Sequence, residues 1–239
     1  METKKKLNLV VLSGAGVSAE SGIATFRGSG GLWEGYKIEE VASPEAWQRD
    51  KQMVLDFYNA RRQNIASVKP NNAHIQIAAL EKHFFVNVIT QNIDNLHEQA
   101  GSSNVMHLHG EITKACSSNN KDHIQEIGFR DIEIGETCID GFQLRPFIVW
   151  FGEDVPLIVD ASKLVRRADV VLVIGTSLEV YPAAGLVAYA QAGTPIYVID
   201  PHLDPHKIRQ WSNTNLIKEK ASTGIEVFKN EIKKKANIL

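Results

Sequence analysis

Leu7-Asn8-Leu9-Val10-Val11-Leu12-Ser13-Gly14-Ala15-Gly16-Val17-Ser18-Ala19 is the stretch whose reading decides the fold. Its first half is a continuous apolar run of strand length, as in a strand buried on both faces of a sheet. Its second half sets Gly14, Gly16 and Ala19 on the spacing G-x-G-x-x-[GA]. Glycines so placed allow a tight turn and a close backbone approach to a pyrophosphate at a helix N-terminus. Taken alone, the motif reads equally as a cofactor turn or a plain strand-helix turn. An orthodox dehydrogenase would add an acid about 20 residues on, at the end of a second strand. Here Gly28 to Gly35 intervenes and no strand precedes Glu39, which disfavours that class.

Strand and helix signals alternate beyond this turn. Pro44 opens a helix running to Ala66, and Asn72 to Lys82 forms another. Phe84 to Ile89 reads as a buried strand. Glu111 to Gly141 carries weak signals and a polar tract at Ser117 to Asp122, and reads as an inserted, loop-rich stretch. Order returns with strands at Pro146 to Phe151, Asp169 to Ile174 and Pro195 to Ile199, separated by helices at Asp160 to Ala168 and Ala183 to Ala192. An amphipathic basic helix follows at Thr223 to Leu239. The alternation predicts an α/β fold with a doubly wound, mostly parallel sheet.

Composition narrows the function classes. The 239 residues are 44% hydrophobic and 23% charged, enough for one sizeable core with a smaller appended module. A formal net charge of -2 argues against bulk affinity for nucleic acid. Cys116 and Cys138 are the two cysteines, which suits a reducing, cytoplasmic location and supports no disulfide framework. The basic start flows straight into the first strand, so no signal peptide is expected. No run reaches about 18 apolar residues, so no membrane span is expected. A monomer is expected.

Strand ends carry the chemistry in open α/β sheets. Gln91-Asn92-Ile93-Asp94 follows one strand and His107-Leu108-His109-Gly110 follows Val105. An amide pair, a carboxylate and two histidines at one sheet edge can handle a polar cofactor and a proton. His107 and His109 alternate and so share a face; His107 reads as a structural hydrogen-bonder. His74, His83, His123, His202 and His206 lie outside any motif and read as surface or satisfied residues. Ala24 to Trp33 is glycine-rich, either a loop closing over a ligand or a surface linker. Tyr58 and Arg61, three apart on a helix, share a face that is solvated or salt-bridged by default.

Six motifs, in order, resemble the sirtuin family of NAD-dependent protein lysine deacylases: Gly14-Ala15-Gly16-Val17-Ser18, Gly22-Ile23-Ala24-Thr25-Phe26-Arg27, Gln91-Asn92-Ile93-Asp94, His107-Leu108-His109-Gly110, Trp150-Phe151-Gly152-Glu153 and Gly175-Thr176-Ser177. The resemblance implies a Rossmann-like NAD-binding domain (residues 1–30, 68–110 and 144–239) and a small inserted module (31–67 and 111–143). It implies that Ala15 and Ser18 contact the dinucleotide beside Gly14 and Gly16, with Phe26 and Arg27 in a cofactor-binding loop. Gln91 would meet the nicotinamide ribose, Asn92 and Asp94 would orient the nicotinamide end, and His109 would be the general base. By the same resemblance, Gly175, Thr176 and Ser177 would form a second pyrophosphate and ribose loop. Val149, Phe151 and Gly152 would receive the acyl-lysine peptide as an added strand, whose main-chain bonds tolerate many sequences.

The chain departs from the family at two places. Sirtuins commonly hold a structural zinc with two C-x-x-C pairs. Here Cys116 fits, Asn119 replaces its partner, Asp140 stands at the last cysteine position and Cys138 is out of step. Tetrahedral zinc wants four nitrogen or sulfur ligands, so no metal is expected, His123 and Asp140 being poor substitutes. Asp200 replaces the usual asparagine near the adenine ribose, where a carboxylate still accepts from hydroxyls. Tyr58 and Arg61 match the Tyr-x-x-Arg pair of the branch preferring succinyl- and malonyl-lysine, and Ala42 its pocket-widening small residue. A carboxylate-tipped acyl chain needs a cation and a donor, which guanidinium and phenol supply. Other readings of the same NAD site are a mono-ADP-ribosyltransferase and a non-catalytic NAD or ADP-ribose sensor; His109, Asn92 and Asp94 together argue against the sensor.

Overall fold

The structure, a computed structural model, describes residues 6–25, 32–33, 35–211 and 213–236. In chain order the strands are β1 (Leu7–Ser13), β2 (Leu32–Trp33), β3 (Tyr36–Lys37), β4 (Phe84–Thr90), β5 (Val105–His107), β6 (Gly110–Ser117), β7 (Ile124–Glu126), β8 (Leu144–Ile148), β9 (Val170–Ile174), β10 (Ile196–Ile199) and β11 (Thr214–Ile217). The α-helices are α1 (Ile38–Val41), α2 (Pro44–Arg49), α3 (Lys51–Ser67), α4 (Asn72–Ala79), α5 (Leu96–Gln99), α6 (Ile158–Arg166) and α7 (Ala221–Ala236).

Six strands form one sheet in the order β11-β10-β9-β1-β4-β5, every pair parallel. Counted within the sheet this is the Rossmann order 3-2-1-4-5-6, whose direction reverses at the first strand. The apolar run of β1 is buried on both faces, as expected. Leu9 and Val11 pack with Ile77 of α4 and Ile225 and Phe228 of α7. Val10 and Leu12 pack on the opposite face with Ala161 and Val165 of α6. Each such side chain contributes about 1.5–3 kcal/mol of burial free energy, so β1 anchors both layers.

A second, antiparallel sheet, β7-β6-β8, and the helices α1 to α3 share a separate core that includes Leu55, Tyr58, Ile112, Leu144 and Trp150. The stretch read as irregular therefore contains β6 and β7. The strand expected over Pro146 to Phe151 runs Leu144–Ile148 and belongs to this sheet, where Pro146 is tolerated because β8 is an edge. Gly110 joins the two sheets with φ +83, and a Cβ there would lie 2.0 Å from the Phe147 carbonyl oxygen. That close approach explains the glycine directly after His109.

Three expected helices differ. The helix from Pro44 is broken at Asp50, whose backbone turns to φ -153 and whose side chain caps α3 by accepting from Met53 N. After the glycine turn come only two single 3-10 turns, Ala15–Val17 and Ala19–Ser21, ended by left-handed Gly22. No helix N-terminus faces the cleft there. Ala183–Tyr189 is also 3-10. β11 carried no distinct signal in the sequence.

Candidate active site

The carboxyl ends of β1, β4 and β9 meet at the reversal point of the sheet, where doubly wound folds bind ligands. They open into a single cleft of about 1030 Å³. Every site residue expected from the sequence lines this cleft, apart from Phe26 and Arg27, which lie outside the described residues.

On one wall the loops after β1 and β9 interlock. Gly14 N donates to the Ile174 carbonyl (3.1 Å) and Gly16 N to the Gly175 carbonyl (2.8 Å). A Cβ on Gly175 would sit 2.2 Å from Val17 N. The close backbone approach that the glycines permit is thus made between the two loops. Their joint surface, with Ala15, Thr176 and Ser177, is a wall built largely of backbone, the lining that a dinucleotide pyrophosphate fits. Asp200, at the end of β10, lines the same cleft and accepts from His202 N (2.8 Å).

Deeper in the cleft the Gln91–Asp94 loop is pinned from several sides. Gln91 Nε2 donates to Thr176 Oγ1 (3.2 Å), tying it to the β9 loop. Asn92 Nδ2 donates to Ser18 Oγ (3.1 Å), and Ser18 in turn donates to Asp94 Oδ2 (3.0 Å). Asp94 Oδ1 accepts from the N–H of Leu96, the first residue of α5 (3.1 Å). Burial pushes the Asp94 carboxyl above the ordinary carboxylate range, while Leu96 N–H, the Ser18 hydroxyl and the charges of His107 and Arg61 pull it back.

The tautomer of His109 is set by one contact. Its Nδ1 lies 2.9 Å from the Gln91 carbonyl oxygen, which only accepts, so Nδ1 carries the proton and Nε2 keeps its lone pair. Burial lowers its pKa below 6.5, leaving the ring neutral near pH 7.

At the floor, Tyr58 is fully buried and Arg61 is 6% exposed, both on α3 and both lining the cleft with Ala42. Trp150 Nε1–H donates to the Tyr58 hydroxyl oxygen (3.1 Å). Val149, Phe151 and Gly152 line the cleft beyond the end of β8, with Val149 N bonded to the His109 carbonyl and Phe151 N to the Ala42 carbonyl.

Some participants carried no assigned role in the sequence. Trp150 stood in a quoted motif without a function. His74 is fully buried, accepting from Asn71 N at Nδ1 (3.3 Å) and reaching Ser18 Oγ with Nε2 (3.4 Å); it is a satisfied histidine, and it backs the site. His97 lies beside it, bonded to Ser13 Oγ (3.0 Å), and nothing in its sequence context marks it.

The Cys116 and Cys138 thiols are buried and unpaired, and two thiols do not fit a four-thiolate zinc site. The donor atoms of His123, Cys138 and Asp140 do gather within 4.8 Å of one another. Several of their contacts are with protein: Ser117 Oγ donates to Asp140 (2.7 Å), His123 Nε2 meets Asn120 (3.3 Å), His123 Nδ1 lies 3.2 Å from Asp140 Oδ2 and Cys138 Sγ donates to the His123 carbonyl (3.5 Å).

The Sir2 family model matches residues 14–182, which carry both glycine loops, the Gln91–Asp94 loop and His109. This chain belongs to the Sir2 family. A Bacteroides thetaiotaomicron relative named NAD-dependent protein deacylase is 54% identical to this Sir2 chain over 228 residues, covering 93% of the chain and 96% of the relative. A Vibrio cholerae protein of the same name is 47% identical over 206 residues, 84% of this chain and 83% of its own. Among solved structures, a Sir2 homolog–NAD complex superposes with a TM-score of 0.83 at 39% identity, over 95% of this chain and 90% of that one.

Proposed function

We propose that this Sir2 protein removes short acyl groups from protein lysines with NAD as co-substrate, favouring acyl chains that end in a carboxylate, such as succinyl and malonyl, over acetyl. NAD-dependent protein deacylation is the activity for which its relatives are named. The acyl preference is carried by one observation: a buried arginine and a buried tyrosine share the floor of the cleft that also holds His109. Burial pushes the Tyr58 phenol well above its ordinary pKa, so it stays protonated and acts as a neutral donor beside the Arg61 charge. An acetyl group offers neither residue a partner, whereas an acyl carboxylate offers both.

When bound, NAD would supply an electrophilic ribose carbon, and the balanced reaction would consume acyl-lysine, NAD and one water and give free lysine, nicotinamide and acyl-ADP-ribose. The chain's own groups orient and move protons. Asn92 and Asp94 hold the nicotinamide end, Gln91 the ribose, and the backbone wall of Gly14–Gly16 and Gly175–Ser177 the pyrophosphate. His109 Nε2 takes a proton from a ribose hydroxyl, a task suited to a neutral imidazole. The acyl-lysine peptide lies along Val149 to Gly152, and the small module stands without zinc.

Mass spectrometry of a succinylated peptide incubated with the protein and NAD tests the proposal. Free lysine together with succinyl-ADP-ribose is expected. ADP-ribose added to a protein would instead mark a mono-ADP-ribosyltransferase, and no change would mark a sensor.

A further inference from the structure

The motif His107-Leu108-His109 places two histidines on consecutive carbonyls of the same loop. His109 holds the Gln91 carbonyl at 2.9 Å, and His107 Nδ1 holds the Asn92 carbonyl at 2.9 Å. Their other nitrogens differ. His107 Nε2 lies 2.7 Å from Glu98 Oε1 on α5.

A carbonyl oxygen only accepts, so His107 Nδ1 carries a hydrogen. The remaining proton lies between Nε2 and the carboxylate, and imidazole is the stronger base by about two units. The ring therefore donates at both nitrogens and is an imidazolium, with 6% of its side chain exposed against 40% for Glu98. We propose that His107 is a positioning residue for the nicotinamide end of the NAD site: a fixed imidazolium, clamped between the Asn92 carbonyl and the Glu98 carboxylate, that holds Asn92 in place. The proposal rests on NAD use by this chain and not on the acyl preference.

The surrounding charges agree. Burial opposes charge on His107, but the hydrogen bond and charge of Glu98, the Asn92 carbonyl and Glu111 outweigh it, and its pKa is raised. Burial likewise opposes charge on Glu98, and the hydrogen bond and charge of His107 outweigh it, with Lys114 helping. Glu111 is itself paired with Lys114 (2.7 Å). His97, the other titratable neighbour, is driven neutral by burial and by His74 and His107. For Asp94, His107 is the first charge opposing the penalty of burial, ahead of Arg61. The two histidines thus divide the work: His109 is a neutral base, and His107 a cation that never leaves its acid.

Steady-state kinetics of the full chain, with NAD varied at saturating acyl-lysine peptide and across pH, tests this in Glu98→Gln and His107→Gln. Each is expected to lower kcat/KM for NAD roughly tenfold, the worth of one hydrogen bond to a charged group, with KM for the peptide unchanged. The acid limb of kcat/KM for NAD should move to higher pH, because Asp94 becomes easier to protonate. The double variant should be no worse than the worse single one. Glu98→Gln keeps the bond to Asn92 and decides the matter if His107→Gln does not fold. A Glu98→Gln enzyme with the parent KM for NAD and the parent acid limb would overturn the proposal. A parent enzyme that releases no nicotinamide from NAD would instead overturn the NAD reading, and this proposal with it.

Discussion

Replacing Arg61 by methionine isolates the charge at the floor of the cleft. The unbranched Met side chain keeps most of the stem and the helix propensity of α3, so the fold should hold. A hydrogen bond to a charged partner contributes about 1.5–3 kcal/mol, which is a factor of roughly 10–150 in kcat/KM. Arg61 is 6% exposed, so water does not readily replace the lost partner, and the upper half of that range is expected for succinyl-lysine peptide. Acetyl-lysine peptide loses the indirect effect only, since Arg61 helps hold Asp94 ionised. The assay is paired kcat/KM measurement on succinyl and acetyl forms of one peptide sequence, with nicotinamide release as the common signal. The ratio of the two should fall at least tenfold. Equal losses on both substrates would refute the assignment of Arg61 to acyl selection.

Trp150→Phe keeps an aromatic ring over the Arg145 guanidinium, which lies 3.3 Å from the ring centroid, but removes the donor that fixes the Tyr58 oxygen. Succinyl turnover should fall by a few-fold, the worth of a neutral hydrogen bond at about 0.5–1.5 kcal/mol, and should fall no further in a Tyr58→Phe background; additive losses would disprove the link. Burial lowers the His74 pKa from 6.5 to about 4, so the folded state resists its protonation. Stability present above pH 6.5 is therefore lost as pH falls toward 4, by about 3 kcal/mol from this residue, and His97 acts in the same direction. Urea unfolding of the parent and of His74→Gln across that window checks this, and parallel curves would contradict it. Metal analysis of the purified protein should find no stoichiometric zinc, and EDTA should leave its thermal midpoint unchanged; one zinc per chain would overturn the zinc-free reading.

Much of the fold was legible because β1 and the glycine turn are local signals. A run buried on both faces announces itself without reference to the rest of the chain. β6 escaped notice because its alternation, Glu111-Ile112-Thr113, is short and gives way to Lys114-Ala115-Cys116-Ser117, with no strong apolar run. Its identity as a strand comes from pairing with β7 and β8, which is tertiary information. The helix expected after the glycine turn is replaced by two 3-10 turns, the second ended by Gly22 in the left-handed region.

The chemistry of the site was legible to a different depth. Residue types and spacing picked out an amide pair, a carboxylate and two histidines at the strand ends, because few side chains can orient an amide or take a proton near neutrality, and the family resemblance then assigned the base to His109. What they could not reveal is who holds each proton. His107 and His109 share a strand edge and a spacing of two, and nothing nearby in sequence separates a base from a cation. Glu98 separates them, reaching His107 from α5, whereas His109 is held by the Gln91 carbonyl and lines the cleft. Tyr58 repeats the logic across a longer span. Its hydroxyl is defined as an acceptor toward Trp150, 92 residues away in the chain, and that leaves its own proton to be given elsewhere. The polarity of this cleft is therefore a property of contacts between its layers, and substitutions at Glu98 and Trp150, outside the reacting groups, should reset it.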